Sequence, residues 1–246
     1  MKVLVVGALG IMGGHVINAV NRSGNECVAF VDIKYQEDAR ANEYTKISDV
    51  KEKADVIIDF SFHGLTKEIL EYAVKTNTPT ILATTGHTDD EKRLINEASS
   101  KVAVFYTGNM SVGIATLCDV VKRVVAVFPD ADVEIVETHH NRKLDAPSGT
   151  AKMLFDAVKE VRADAYAKQG RNGLCKREKS EVGISSIRMG NIVGIHEVII
   201  GTSTEQITLK HEAYDRALFA DGAIKAAEFM CGKGAGLYTM KELLKS

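Results

Sequence analysis

The sequence predicts an α/β protein, with a doubly wound parallel sheet in its N-terminal part and a smaller α+β domain on a mixed sheet after it. Three observations carry this prediction. Short apolar runs alternate with amphipathic stretches from residue 2 to residue 106. A glycine triplet, Gly7, Gly10 and Gly13, sits where the first apolar run meets the first amphipathic stretch. Beyond residue 180, three strand-like runs follow one another with no helix between them.

The elements follow in order. Lys2 to Val6 is apolar and ends in glycine, so it reads as a buried strand. Ile11 to Arg22 has helical spacing and closes near Gly24. Cys27 to Val31 is a second strand ending at Asp32, and Asp55 to Phe60 is a third. Leu65 to Lys75 is helical, and Thr80 to Thr84 is a fourth strand. Thr88 and Glu91 form a T-x-x-E capping box that opens a helix running to about Ser100. Val102 to Tyr106 is the fifth strand. Then the pattern changes. Val112 to Phe128 is a long apolar helix stopped by Pro129, Val133 to Glu137 alternates as a strand does, and Gly149 to Val161 is a helix. Arg162 to Glu181 is polar and contains glycines, so a long loop is expected. Ile184 to Arg188, Gly194 to Ile200 and Gln206 to His211 are strands whose pairing should include antiparallel neighbours. Asp215 to Met230 and Met240 to Lys245 are helical.

Composition limits the function. The chain has 246 residues, 45% hydrophobic and 26% charged, with a net charge of -2, which gives no general attraction to nucleic acid. Cys27, Cys118, Cys175 and Cys231 are scattered without CxxC spacing, as reduced thiols of a cytoplasmic protein are. The apolar start continues into a glycine motif that needs its strand, so it reads as structure and not as a leader. No run is long and apolar enough for a transmembrane helix.

Gly7, Gly10 and Gly13 spell G-x-x-G-x-x-G between a strand and a helix. Glycine permits the sharp turn and lets a pyrophosphate approach backbone N–H groups at the helix start. Asp32, at the end of the second strand, can accept both ribose hydroxyls of an adenosine. A tight turn plus a capping acid would leave the same residues, but their order matches a Rossmann dinucleotide site. None of the seven tyrosines has a lysine four residues later, so the Tyr-x-x-x-Lys proton-transfer pair is absent.

The segment Glu137 to Ala151, ETHHNRKLDAPSGTA, is the densest chemistry in the second half. His139 and His140 are adjacent and point opposite ways in extended chain. Lys143 and Arg142 add positive charge. Ser148, Gly149 and Thr150 stand where a helix begins, and its free N–H groups suit a carboxylate. Each has a plainer reading, as helix cap or solvated lysine. The two histidines lack an evident set of further metal ligands, so no metal is expected. In one loop they make a carboxylate site with a proton-exchanging histidine.

That segment resembles the signature of the dihydrodipicolinate reductase family. Further blocks follow in order across nearly the whole chain. These are VVGALGIMG, IIDFS around Asp59, ATTG, GNMSVG, RMGNIVGIHEV and FADGAIKAA. The resemblance implies reduction of a cyclic hydroxy-dicarboxylate imine to tetrahydrodipicolinate, on the way to diaminopimelate and lysine, with NADH or NADPH as hydride source. It implies that His139 is the proton donor, that Lys143 aids the chemistry, and that His140, Ser148, Gly149 and Thr150 bind substrate. It implies cofactor contacts at Gly7, Gly10, Ile11, Met12, Gly13, Asp32, Thr84, Thr85, Gly86, Asn109, Met110 and Ser111. It also implies a discontinuous nucleotide domain, 1–109 with 215–246, and a middle domain, 110–214, that binds substrate and builds a homotetramer. Hinges would lie near Asn109 and Tyr214.

Two positions depart from the family pattern. Ile11 stands where many members have a basic residue, and Met110 where an aromatic is common. Asp32 repels a 2′-phosphate, and Lys34, two residues on, can pair with one. NADH is therefore expected to serve at least as well as NADPH. Two other functions fit the architecture. An amino-acid or semialdehyde dehydrogenase leaves the D-A-P-S-G-T block unexplained, and a non-catalytic nucleotide sensor has no need of His139 and Lys143.

Overall fold

Val3, Leu4, Val5 and Val6 are all buried, so the first strand, β1 (Lys2–Val6), is covered on both faces. The structure, a computed structural model, describes residues 1–36 and 40–246. These form two compact units, Met1–Ser111 with Arg216–Ser246, and Val112–Asp215.

The first unit holds β1, β2 (Glu26–Val31), β3 (Glu43–Tyr44), β4 (Val56–Asp59), β5 (Thr80–Leu82), β6 (Ala103–Tyr106) and β12 (Gly236–Tyr238). They form one seven-stranded sheet in the order β12-β6-β5-β4-β1-β2-β3, and every neighbouring pair is parallel. The unit's long helices are α1 (Ile11–Arg22), α2 (Thr66–Thr76), α3 (Asp89–Ser99) and α6 (Ala217–Met230). Alternate side chains face opposite ways. Leu4, Ile57, Leu82 and Val104 pack with Ile69 of α2 and Ile95 of α3. Phe105, next in its strand, meets Phe229 of α6 edge to face, and α6 packs on α1. The Thr88–Glu91 capping box is present, with both of its hydrogen bonds. The helix α2 ends at Asn77, whose φ of 51° supplies the left-handed cap that glycine usually provides.

The second unit holds α4 (Val112–Val127), β7 (Asp132–His139), α5 (Gly149–Val161), β8 (Tyr166–Gln169), β9 (Glu181–Arg188), β10 (Gly194–Gly201) and β11 (Gln206–Ala213). The sheet order is β11-β10-β7-β9-β8. It is mixed, since β10 runs antiparallel to β11 and β7 while β9 runs parallel to β7 and β8. Val133, Ile135, Val198 and Ile200 pack from this sheet against Ala151 and Leu154 of α5 and Leu117 of α4. Along β7 the inward positions are Val133, Ile135, Glu137 and His139. The apolar core thus runs directly into a polar end, and the candidate site lies there.

Three strands lie outside the sequence expectation, the first being β3, a two-residue edge strand. The segment 162–181, read as loop, contains β8 and the start of β9. Three of the four β8 residues are exposed, so the strand carries no apolar alternation to detect. The three-residue β12 is an edge strand beginning at Gly236, too short for periodicity. Among the described residues no helix is long and apolar enough to cross a membrane. The four cysteines are unbridged.

Candidate active site

The centre of the second unit's site is Glu137, whose side chain is fully buried at an inward position of β7. A buried carboxylate needs donors, and the fold supplies them from four places. Arg188, at the end of β9, gives it both ends of its guanidinium, each at 2.8 Å. The Ser148 N–H donates at 3.1 Å from the cap of α5. His139 brings Nδ1 to 2.5 Å. Ser186 of β9, opposite Glu137 in the register, bonds to it as well. Burial alone would raise the carboxyl pKa. The hydrogen bonds from His139, Arg188 and Ser186 outweigh it and hold Glu137 well below the usual carboxylate range.

An ionised Glu137 accepts from His139 Nδ1–H, which leaves Nε2 as the atom of that ring able to exchange a proton. Gly194 lies beside that nitrogen, and a Cβ there would come within 3.1 Å of Nε2. His196 of β10, opposite Glu137 in the register, packs edge to face on His139 with ring centroids 5.1 Å apart. Its Nε2 lies 3.1 Å from the Ser148 hydroxyl. Burial, reinforced by neighbouring His139, pushes its pKa down to about 3, so His196 is neutral near pH 7.

The structure brings together most of the residues expected in this segment. Ser148 caps α5, its hydroxyl accepting from the Ala151 N–H, and it is buried. Gly149 and Thr150 form the first turn and are more open. His140 is half-buried, and its backbone N–H bonds to the Ile192 carbonyl at 2.8 Å. Lys143 Nζ sits 2.7 Å from Asp145, so its ammonium is already placed to hold a carboxylate. Arg188 also donates to the Asp145 carbonyl at 2.6 Å, which ties the Lys143 loop to β9. Sequence reading assigned no role to Glu137, Arg188 or His196. A signal for two of them exists: Glu137 and His196 occupy inward positions of alternating strands, where an apolar residue is the rule.

In the first unit the glycine loop is packed too closely for side chains. A Cβ on Gly7, which has φ of 81°, would lie 2.8 Å from the Phe60 carbonyl oxygen. One on Gly13 would lie 2.2 Å from the Gly7 carbonyl oxygen. Gly10 is the N-cap of α1 and offers no side-chain cap, so the helix presents its first-turn N–H groups to an anion. A cleft of about 770 Å³ adjoins this loop and is lined by Gly7, Gly10, Asp32 and Lys34. Asp32 accepts from the Leu9 and Lys34 N–H groups, each at 3.0 Å, and both carboxylate oxygens keep lone pairs for further donors.

A second cleft, of about 940 Å³, shares the Phe60–Phe62 turn with the first and is lined by Met12, Thr84, Thr85, Asn109 and Met110. Of the other expected contacts, Ile11 is exposed, Gly86 makes an exposed turn with φ of 86°, and Ser111 is buried with its N–H on the Asn109 side chain. The cradle, the acid at the strand end and the paired clefts fit a dinucleotide. Among the described residues no group of three His, Cys, Asp or Glu is disposed to hold a metal ion.

The family model described as dihydrodipicolinate reductase, N-terminus, matches residues 1–110, and the C-terminus model matches residues 113–244. The chain is 42% identical to the 4-hydroxy-tetrahydrodipicolinate reductase of Clostridium novyi (strain NT), over 100% of this chain and 98% of that protein. It is 39% identical to the one of Brachyspira hyodysenteriae (strain ATCC 49526 / WA1), over 99% and 100%. Its fold matches the dipicolinate-bound dihydrodipicolinate reductase from Paenisporosarcina sp. TG-14 with a TM-score of 0.79, 24% identity and 97% of each chain covered. The chain therefore belongs to the dihydrodipicolinate reductase family of oxidoreductases.

Proposed function

We propose that this chain reduces 4-hydroxy-tetrahydrodipicolinate, a cyclic imine dicarboxylate, to tetrahydrodipicolinate, with a nicotinamide cofactor in the first unit and substrate in the second. One observation carries the reading: the buried Glu137 holds both His139 and the Ser148 cap of α5, and Lys143 lies in the loop between them, its ammonium on Asp145. The first turn and Lys143 hold the substrate's carboxylates, a ligand carboxylate taking the place of Asp145 on Nζ. His140 lines the same loop. Glu137 holds the His139 ring and fixes its tautomer, so Nε2 is the atom that delivers the proton. Arg188 keeps Glu137 ionised while it does so. The substrate's 4-hydroxyl leaves as water, which balances the conversion to tetrahydrodipicolinate, and a reduced nicotinamide, when bound, would supply the hydride. The α1 N-terminus and the glycine loop hold its pyrophosphate, and Asp32 takes the adenosine ribose hydroxyls. NADH serves at least as well as NADPH, Lys34 being the cation that admits the latter.

The working protein is a cytoplasmic homotetramer, assembled through the middle domain. Purified synthase product is the substrate for the test, with reduced-cofactor absorbance as readout. Consumption that depends on that product supports the reading, and none with either cofactor overturns it.

A further inference from the structure

Asp59 ends β4 and is fully buried. Its Oδ1 accepts from the Ser61 N–H at 2.9 Å and the Ser61 hydroxyl at 2.5 Å, and its Oδ2 from the Thr84 hydroxyl at 2.8 Å. Its backbone carbonyl accepts from the Ala83 N–H at 3.0 Å. Each donor is neutral, and among the described residues no Lys, Arg or His pairs with this carboxyl. Burial pushes its pKa up, against the hydrogen bonds of Ser61 and Thr84. A buried carboxylate without a cation is costly, and a neutral residue could close the same turn. Both partners, Ser61 and Thr84, line the second cleft, with Met12, Thr85 and Asn109.

We propose that Asp59 is a positioning residue that fastens the Ser61 and Thr84 loops of the cofactor cleft, and that its charge favours the oxidised, cationic nicotinamide over the reduced, neutral one. This rests on the cofactor reading of that cleft. The three hydrogen bonds that Asp59 accepts favour its ionised form, and that form stabilises the positive charge that hydride transfer leaves behind, without touching substrate.

The test is calorimetric titration of the full chain with NADH and with NAD+, in the absence of substrate, alongside melting curves. Asp59→Asn keeps the shape and removes the charge. It should weaken NAD+ relative to NADH by roughly five- to thirtyfold, the order expected when a unit charge is removed from beneath the cleft at an effective dielectric of about 20. Thr84→Val keeps the charge and loosens one loop, so both affinities should fall together. A folded D59N chain with the wild-type ratio of dissociation constants overturns the proposal. If D59N does not melt cooperatively, T84V decides: a shared loss of affinity supports the fastening role, and two unchanged affinities overturn it. Wild-type chain that binds neither form overturns the cofactor reading itself, a failure distinct from an unchanged ratio.

Discussion

At the scale of single residues, His196 carries a pH dependence that can be worked out. A histidine in the unfolded chain titrates near pH 6.5, and in the fold His196 titrates at about 3. Between those values the unfolded chain binds more protons. The stability contributed by neutral His196 is therefore complete above about pH 6.5 and is lost as pH falls toward about 3, at up to ~1.4 kcal/mol per pH unit. In His196→Gln the melting temperature should fall less than in wild type between about pH 6.5 and about pH 5. Parallel curves would mean that His196 titrates normally. Lys143 makes a second residue-scale prediction. A hydrogen bond to a charged group is worth about 1.5–3 kcal/mol. Lys143→Ala should weaken pyridine-2,6-dicarboxylate by that amount and leave cofactor affinity alone. An unchanged inhibition constant would place the carboxylates elsewhere.

At the scale of elements, two neighbouring glycines of α1 separate packing from propensity. A Cβ on Gly13 collides with the Gly7 and Ala8 carbonyl oxygens, while one on Gly14 meets nothing within 4 Å. Gly14→Ala should raise stability by up to ~1 kcal/mol through helix propensity. Gly13→Ala should push the helix off its loop, lowering both the melting temperature and cofactor affinity. Equal behaviour of the two variants in titration and melting would refute the close-packed cradle. The same helix shows what was legible beforehand. Its bounds, Ile11 and Arg22, follow from a glycine N-cap and the chain reversal at Gly24. The strands without a sequence signal, β3, β8 and β12, are short edges with little to bury. Their pairing is decided by the neighbouring strands, β2, β9 and β6.

At the scale of the whole molecule, the sequence showed which loops carry chemistry but not how distant strands complete them. His139, Lys143 and Ser148 share one segment and could be read together. Arg188 reaches Glu137 across 51 residues of chain, and Ser148 meets His196 across 48, so only the mixed sheet reveals these partners. Cofactor choice is likewise a property of the assembled cleft, where Asp32, Lys34, Lys46 and Glu68 all contribute lining. Raising salt screens an exposed lysine from a phosphate, so preference should move further toward NADH, and Lys34→Ala should raise KM for NADPH selectively. A strong NADPH preference that survives both changes would assign the phosphate to another cation. The central claim is that His139 delivers the proton, and turnover of His139→Gln on enzymatically generated substrate tests it most directly. The expected result is a kcat lower by roughly 100- to 10,000-fold with a smaller change in KM; a folded variant turning over near the wild-type rate would contradict it.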